Sequence, residues 1–177
     1  MKSVSNPLRY ALLLLALAPA LPAAAFDMNS GAPIRITADS ARLDESQGSA
    51  IYRGNVDVRQ GEVLLTADRV EVYRGSEGLD RIHARGQPAT YDRPATASEG
   101  AVHAEALEIR YSASENLLRF EQQATVKQGE DEFRGAIITY DAANRIVTGE
   151  GRTGDGEGSG RVEMVIQPRG NNSPSGN

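Results

Sequence analysis

Cysteine and tryptophan are absent from the 177-residue sequence, and only three phenylalanines and two histidines are present. The lack of cysteine excludes a thiolate nucleophile and any disulfide, and two histidines are too few for a histidine-rich metal site. Buried apolar side chains and hydrogen-bonded strands must therefore stabilise the fold. No apolar run past residue 26 reaches the length of about 20 residues with which a helix crosses a membrane.

The first 25 residues have the features of a signal peptide. Lys2 and Arg9 give a positively charged start, and residues 10–21 form an apolar run that is too short to span a bilayer. Residues 23–25 are three alanines, the small residues that precede a signal-peptidase cleavage site. We predict that residues 1–25 are removed on export and that the mature chain begins at Phe26.

The predicted mature chain is acidic. It carries 17 basic and 24 acidic residues, which gives a net charge of about −7. Binding of nucleic acid requires clustered positive charge, so we expect no nucleic-acid partner. The same balance argues against adsorption to an anionic membrane surface.

Apolar and polar residues alternate through most of the mature chain. Ile34, Ile36 and Ala38 face one way in this pattern, and Arg35 and Thr37 face the other. Such alternation is typical of an antiparallel sheet with one solvated face. Polar turn segments separate the predicted strands at residues 44–48, 60–61, 74–78, 112–116, 128–129 and 141–144. The pattern predicts an all-β fold of the sandwich, jelly-roll or stacked type.

The exported part also repeats itself. Residues 58–62, Val-Arg-Gln-Gly-Glu, return as Val-Lys-Gln-Gly-Glu at residues 126–130, an offset of 68. The same offset pairs Tyr52 with Phe120 and Asn55 with Gln123. We predict two similar units, joined through residues 92–101, that build an extended wall with two ends.

A shorter motif recurs inside each unit and changes its apolar parity midway. Ala38 is in phase with Ile36, but Leu43 is not, which indicates an extra residue and a bulge or corner between them. Asp39 and Asp68 take equivalent places in this motif. Glycoside hydrolases use a pair of carboxylates as catalytic residues. Because Asp39 and Asp68 occupy equivalent places in a repeated motif, a structural role as side chains that cap turns is favoured. A glycan-active jelly-roll enzyme is thus kept as an alternative hypothesis.

Other signatures of enzymes are weak. No serine stands in a G-x-S-x-G motif, and the glycine-rich residues 149–160 match neither a calcium loop nor a P-loop. We interpret residues 149–160 as a mobile loop. His83 and His103 fall on the polar faces or edges of predicted strands, as solvated histidines do. We predict no catalytic residue, no metal site and no cofactor, and hence a protein that is not an enzyme.

The apolar faces have two interpretations. They fill the core, or they line a groove between two sheets in which acyl chains bind. The sequence does not separate a filled interior from an open one. The candidate lipid-binding residues are Ile34, Ile36, Tyr52, Val58, Leu65, Tyr91, Ile109, Tyr111 and Phe120.

Several segments together resemble one known family. They are Pro-Ile-Arg-Ile-Thr-Ala-Asp at 33–39, Tyr-Arg-Gly-Asn-Val at 52–56, Gln-Gly at 60–61, Thr-Ala-Asp at 66–68, Gly-Gln-Pro-Ala-Thr-Tyr at 86–91 and Met-Val-Ile-Gln-Pro at 164–168. Their order and spacing resemble the LptA family of periplasmic lipopolysaccharide transport proteins, within the OstA-like superfamily. The resemblance covers about residues 30–168.

The resemblance implies a fold, a ligand and partners. The fold would be an open, twisted antiparallel β-jelly roll over residues 26–168. Residues 169–177 are mostly Gly, Asn, Ser and Pro, and this composition by itself predicts a disordered tail. The apolar interior would bind the lipid A part of lipopolysaccharide, and Ile34, Ile36, Tyr91 and Tyr111 match the family's lipid-contacting positions. Copies would join edge to edge, residues 34–38 to residues 162–166. The resulting bridge would receive lipopolysaccharide from LptC at the inner membrane and deliver it to LptD–LptE at the outer membrane.

One alternative lies within the same superfamily. A protein of the LptC type keeps an N-terminal membrane anchor, whereas the alanines at residues 23–25 predict cleavage and release. We therefore expect a periplasmic carrier rather than a membrane-anchored component.

Overall fold

The computed structural model describes residues 32–76, 78–97, 100–151 and 160–167. These residues form ten strands. Their bounds are β1 Ile34–Thr37, β2 Ser40–Asp44, β3 Ser49–Gln60, β4 Val63–Gly75, β5 Gly78–Arg93, β6 Val102–Ser112, β7 Leu117–Gln128, β8 Asp131–Asp141, β9 Ile146–Glu150 and β10 Glu163–Val165. Nothing helical in these ranges has the length and apolar character to cross a membrane. The predicted signal peptide, the predicted tail and most of the glycine-rich segment lie outside the described residues.

The strands form one antiparallel sheet in which β3 to β8 follow one another as neighbours. The N-terminal edge is divided, because β1 pairs with one half of β3 and β2 with the other half. The C-terminal edge is divided in the same way, because β9 and β10 pair with different halves of β8. The predicted all-β, open antiparallel fold is confirmed.

Each ladder between long strands is interrupted near its middle. The register shifts at Arg53/Val56, Thr66/Arg69, Arg85/Ala89, Glu105/Glu108 and Glu121/Ala124. Bulges of this kind bend strands and raise their twist. The corner predicted from the change in apolar parity is therefore confirmed, and it runs across the whole sheet.

The corners divide the sheet into two walls. Wall A contains β2, β9 and residues 49–53, 69–75, 78–85, 108–112, 117–121 and 137–141; wall B contains β1, β10 and residues 56–60, 63–66, 89–93, 102–105, 124–128 and 131–135. The apolar residues of both walls form one core. Across it, the ring of Tyr91 on wall B meets that of Phe120 on wall A edge to face, with centroids 6.2 Å apart. The apolar faces of the two walls therefore pack against each other.

The predicted two-unit repeat is present in the backbone. The bulge of β3 contains Gly54 and Asn55, with φ of 76° and 45°, and the bulge of β7 contains Gln122 and Gln123, with φ of 64° and 59°. The offset of 68 residues relates the first pair to the second. Glutamine rarely adopts a positive φ, so the fold imposes this corner in both units.

Candidate functional site

A cavity of about 680 Å³ opens between the walls at the N-terminal edge. We call it the mouth cavity. Apolar side chains from both walls line it: Ile34 and Ile36 of β1, Leu43 of β2, Ala50 and Tyr52 of β3, Val72 of β4 and Leu79 of β5. Polar residues also border it, among them Asp44, Glu45 and Arg74. The cavity therefore combines apolar walls with charged groups of both signs.

The local sequence explains how the mouth cavity forms. Ile34 and Ile36 alternate with the exposed Arg35 and Thr37, so β1 turns its apolar side chains towards the core. The Gln60 side chain donates a hydrogen bond of 3.1 Å to the backbone oxygen of Ala32. This bond fixes the chain just before β1 beside the cavity.

The nine predicted lipid-binding residues fall into two groups. Ile34, Ile36 and Tyr52 line the mouth cavity and are half-buried. The other six lie in the packed core and are at most 2 % exposed: Val58, Leu65, Tyr91, Ile109, Tyr111 and Phe120. Burial raises the pKa of the Tyr91 hydroxyl. In this conformation the deep interior is filled and the N-terminal mouth is open.

Sequence reasoning missed several residues of the mouth cavity, notably Leu43, Val72 and Arg74. Leu43 lies beyond the corner at Asp39, where the inward parity has changed. If the odd-numbered positions after the corner had been taken as the inward ones, the sequence would have placed Leu43 on the inner face. No alternation pattern could have identified Arg74, because this residue lies at the end of β4 and borders the cavity from there.

Asp39 and Asp68 both lie at corners of the sheet. The Asp39 carboxylate accepts a hydrogen bond of 2.9 Å from the side-chain amide of Asn55. Asp68 lies in the bulge of β4 and is exposed. Both carboxylates therefore lie at corners, as the repeated motif predicts, and Asp39 accepts its hydrogen bond there from a side chain rather than from a turn amide.

The outer face of wall A carries an array of ion pairs. Glu71, Glu108 and Glu121 are each less than one-fifth exposed, and arginines on β4 to β7 surround them. Hydrogen bonds from Arg110 and His83 lower the pKa of Glu108 to about 2. The Glu108 carboxylate is therefore ionised and paired at neutral pH, which suits a structural role on the outside of the sheet.

The two histidines also lie on the outer faces. His83 Nε2 is 3.0 Å from Glu108, and His103 Nδ1 is 2.6 Å from Asp92. The second histidine also contacts Glu105 at 3.2 Å, and both carboxylates raise its pKa. Neither histidine lines the mouth cavity.

Comparison with known proteins identifies the family. Residues 35–146 match the family described as LptA/(LptD N-terminal domain) LPS transport protein. The chain is 37 % identical over 140 residues to the lipopolysaccharide export system protein LptH of Pseudomonas aeruginosa, a match that covers 77 % of this chain and 80 % of that protein. It is 31 % identical over 144 residues to LptA of Escherichia coli K12, covering 79 % and 77 % of the two chains.

A solved structure supports the same relationship. The crystal structure of P. aeruginosa LptH, described as the LptA-homologous periplasmic component of a lipopolysaccharide transport device, matches with a TM-score of 0.69 and 38 % identity. The match covers 77 % of this chain and 96 % of that one. A shorter match, 44 % identical over 57 residues, links the chain to 7 % of the LPS-assembly protein LptD of Pasteurella multocida. The chain thus belongs to the LptA/LptD N-terminal domain family of lipopolysaccharide transport proteins.

Proposed function

We propose that this protein is a non-enzymatic periplasmic carrier, which holds the lipid A acyl chains of lipopolysaccharide between its two walls. The mouth cavity is the observation that carries the proposal, because apolar side chains of both walls surround a space open at one edge. The relatives are named as lipopolysaccharide export proteins, which supports the same ligand.

The energetics of the ligand explain why such a carrier needs an apolar interior. Each methylene group that leaves water for an apolar site gains about 0.8 kcal/mol, so ten exposed methylenes would cost about 8 kcal/mol during transfer. A continuous apolar surface avoids that cost without any covalent step. Ion pairs on the outer face of wall A keep the opposite surface polar.

The burial of the candidate residues suggests an order of contact. Ile34, Ile36 and Tyr52 would meet the acyl chains first, since they line the open mouth. The six core residues, among them Tyr91 and Phe120, would contact lipid only after the walls separate. Arg74, at the border of the cavity, would meet the phosphate groups of lipid A.

The divided edges support a bridge of several copies. Among the described residues, β1 and β2 each pair only with β3, and β9 and β10 each pair only with β8. Their outer backbone groups are therefore available for strand addition by another chain. We propose that copies join in this way, and that the ends of the bridge contact LptC at the inner membrane and LptD–LptE at the outer membrane.

Site-specific photo-crosslinking in cells tests the proposed ligand. A photoreactive residue at Ile36 faces the mouth cavity, and one at Arg35 is its matched control on the outer face of the same strand. We expect lipopolysaccharide adducts at Ile36 in several-fold excess over Arg35. Equal labelling at the two positions would overturn the proposed binding surface.

A further inference from the structure

The N-terminal edge repeats the pairing of strand β6. Ile36 pairs with Val58 on β3, and Ala104 pairs with Val126 on β7 at positions 68 residues later. Leu43 pairs with Ala50, and Tyr111 with Leu118, at the same offset. β1 and β2 together are thus the counterpart of β6, interrupted at the corner. Inside the molecule β6 has β5 as its other neighbour, whereas β1 and β2 have no such neighbour among the described residues.

The C-terminal edge repeats the pairing of strand β5. Val147 pairs with Tyr140 on β8 as Ile82 pairs with Val72 on β4. Met164 pairs with Phe133 as Tyr91 pairs with Leu65. β9 and β10 are therefore the counterparts of the two halves of β5. Within the described ranges they have nothing that corresponds to β6 on their outer side.

The exposure of apolar side chains matches this relationship. In the internal junction, Tyr91 of β5 is fully buried and Tyr111 of β6 is 2 % exposed. Their counterparts at the edges, Met164 and Leu43, are 51 % and 58 % exposed. Every large apolar side chain that is exposed in the described part of the chain lies on or beside these edge strands: Leu43, Ile146, Val162, Met164, Val165 and Ile166. A cluster of exposed apolar side chains is typical of a surface that binds another molecule.

We propose that two copies join in the register of the internal β5–β6 junction, so that Val147 and Met164 of one copy complete the mouth cavity of the next. In the internal junction Ile82 pairs with Tyr111, so their counterparts Val147 and Leu43 would lie opposite each other. Tyr91 pairs with Ala104 there, so Met164 would lie opposite Ile36. This inference rests on the proposed joining of copies and specifies its register and its lining residues.

The faces of the paired strands agree with this register. Ile36 packs against the core, and Met164 lies opposite Phe133, which also packs against the core. Both side chains therefore point inward. A slip by one residue would place Met164 opposite the outward Arg35 and reverse every face of the added strand. Only slips by an even number of residues preserve the faces.

Two outward arginines of the N-terminal edge lie near two outward glutamates of the C-terminal edge when the strands are paired in this way. In the proposed register Arg35 faces Val165, with Glu163 diagonally across, and Arg42 faces Thr148, with Glu150 diagonally across. Diagonal cross-strand neighbours lie within reach of long side chains. The pairing thus places an arginine near a glutamate on each wall. Because the two edges differ, the contact is heterologous and extends into a chain of copies.

Cysteine cross-linking tests the register directly, because the natural sequence contains no cysteine. One preparation carries Met164→Cys, and a second, distinguished by size, carries Ile36→Cys. Matched controls carry Ile34→Cys or Ala38→Cys, which correspond to slips by two residues on the same inward face. Directly opposed Cβ atoms lie about 5 Å apart and diagonal ones about 7–8 Å, so we expect disulfide formation with Ile36→Cys to be about tenfold faster. Val147→Cys with Leu43→Cys tests the other wall.

The outcomes separate the register from the proposed joining. Preferred cross-linking of Met164→Cys to Ile34→Cys or Ala38→Cys would overturn the register while leaving edge-to-edge joining in place. Absence of cross-links in every combination, from variants that keep the circular dichroism spectrum of the parent, would overturn both. Photo-crosslinking of lipopolysaccharide at Ile36 of the single chain tests the carrier role independently of either result.

Discussion

Asp39 and Asn55 are joined across the corner of the N-terminal edge by a hydrogen bond of 2.9 Å, which the Asn55 side-chain amide donates to the Asp39 carboxylate. The backbone N–H of Asp39 donates a second bond of 2.9 Å to the Gly54 oxygen. These bonds hold the point where β1 ends and β2 begins, which are the two edge strands of the mouth cavity. The two hydrogen bonds at the corner thus fix β1 and β2 relative to each other at the border of the mouth cavity.

Gly54→Ala should destabilise the protein through this corner. A Cβ at Gly54 would clash with the Asp39 carboxylate, and the backbone φ of Gly54 is +76°. Gly61→Ala is a matched control, because its φ of +58° is also positive but its Cβ would meet nothing within 4 Å. We expect both variants to lose about 1 kcal/mol from the positive φ, and Gly54→Ala to lose about 1–2 kcal/mol more. Urea denaturation measures the difference, and equal losses would contradict the steric role of Asp39.

Core and mouth residues should respond differently to truncation. Phe120→Ala removes a fully buried ring that contacts Tyr91, so we expect a loss of about 3–5 kcal/mol in unfolding free energy. Ile36→Ala trims a half-buried side chain at the mouth, so we expect a loss nearer 1 kcal/mol together with weaker lipopolysaccharide binding. Denaturation and a binding titration on each variant check this. A larger stability loss for Ile36→Ala would contradict the division between filled core and open mouth.

The walls and corners could be predicted because each produces a pattern of apolar and polar residues along the sequence. Alternation of Ile34 and Ile36 with Arg35 defines the faces of β1, and the parity change before Leu43 marks the corner. A filled interior and an open interior produce the same alternation, so the sequence does not distinguish them. Tyr52 at the mouth and Tyr91 in the core both lie on inward faces, and only the separation of the walls distinguishes them.

The ion-pair array on wall A was likewise absent from the sequence-based predictions. Glu108 lies at an ordinary outward position, where a solvated carboxylate is the usual outcome. Its burial depends on Arg85 of β5 and Arg110 of β6, and on a register that places His83 beside them. Such an arrangement requires the cross-strand pairing, which alternation alone does not provide.

Glu108→Gln should destabilise the protein at neutral pH but not in acid. Arg110 and His83 lower the pKa of Glu108 from its ordinary value near 4.5 to about 2. The stabilisation by the folded state's charged carboxylate is therefore complete above about pH 4.5 and is lost as the pH falls towards 2. Allowing for the exposed arginines, we expect the variant to be about 1–2 kcal/mol less stable at pH 7.

Urea denaturation between pH 7 and pH 2.5 measures this effect. The gap between the parent and Glu108→Gln should narrow steadily below about pH 4.5. Glu62→Gln, at an exposed turn position, is the control and should show a small difference that varies little with pH. A gap for Glu108→Gln that stayed constant across this range would show that the carboxylate's charge is not what stabilises wall A.

His103 should titrate above its ordinary pKa of 6.5. The hydrogen bond to Asp92 is the largest cause of the raised pKa; burial opposes it, and the hydrogen bond to Glu105 adds to it, while Lys127 lies opposite on β7. A histidine with a raised folded-state pKa stabilises the fold fully below the unfolded pKa, and that stabilisation is lost as the pH rises through the folded value. Nuclear magnetic resonance of the two histidine rings measures the titration, with His103→Gln assigning the signals. Asp92→Asn should move the His103 pKa down towards 6.5, and a pKa that did not move would exclude this carboxylate as its main partner.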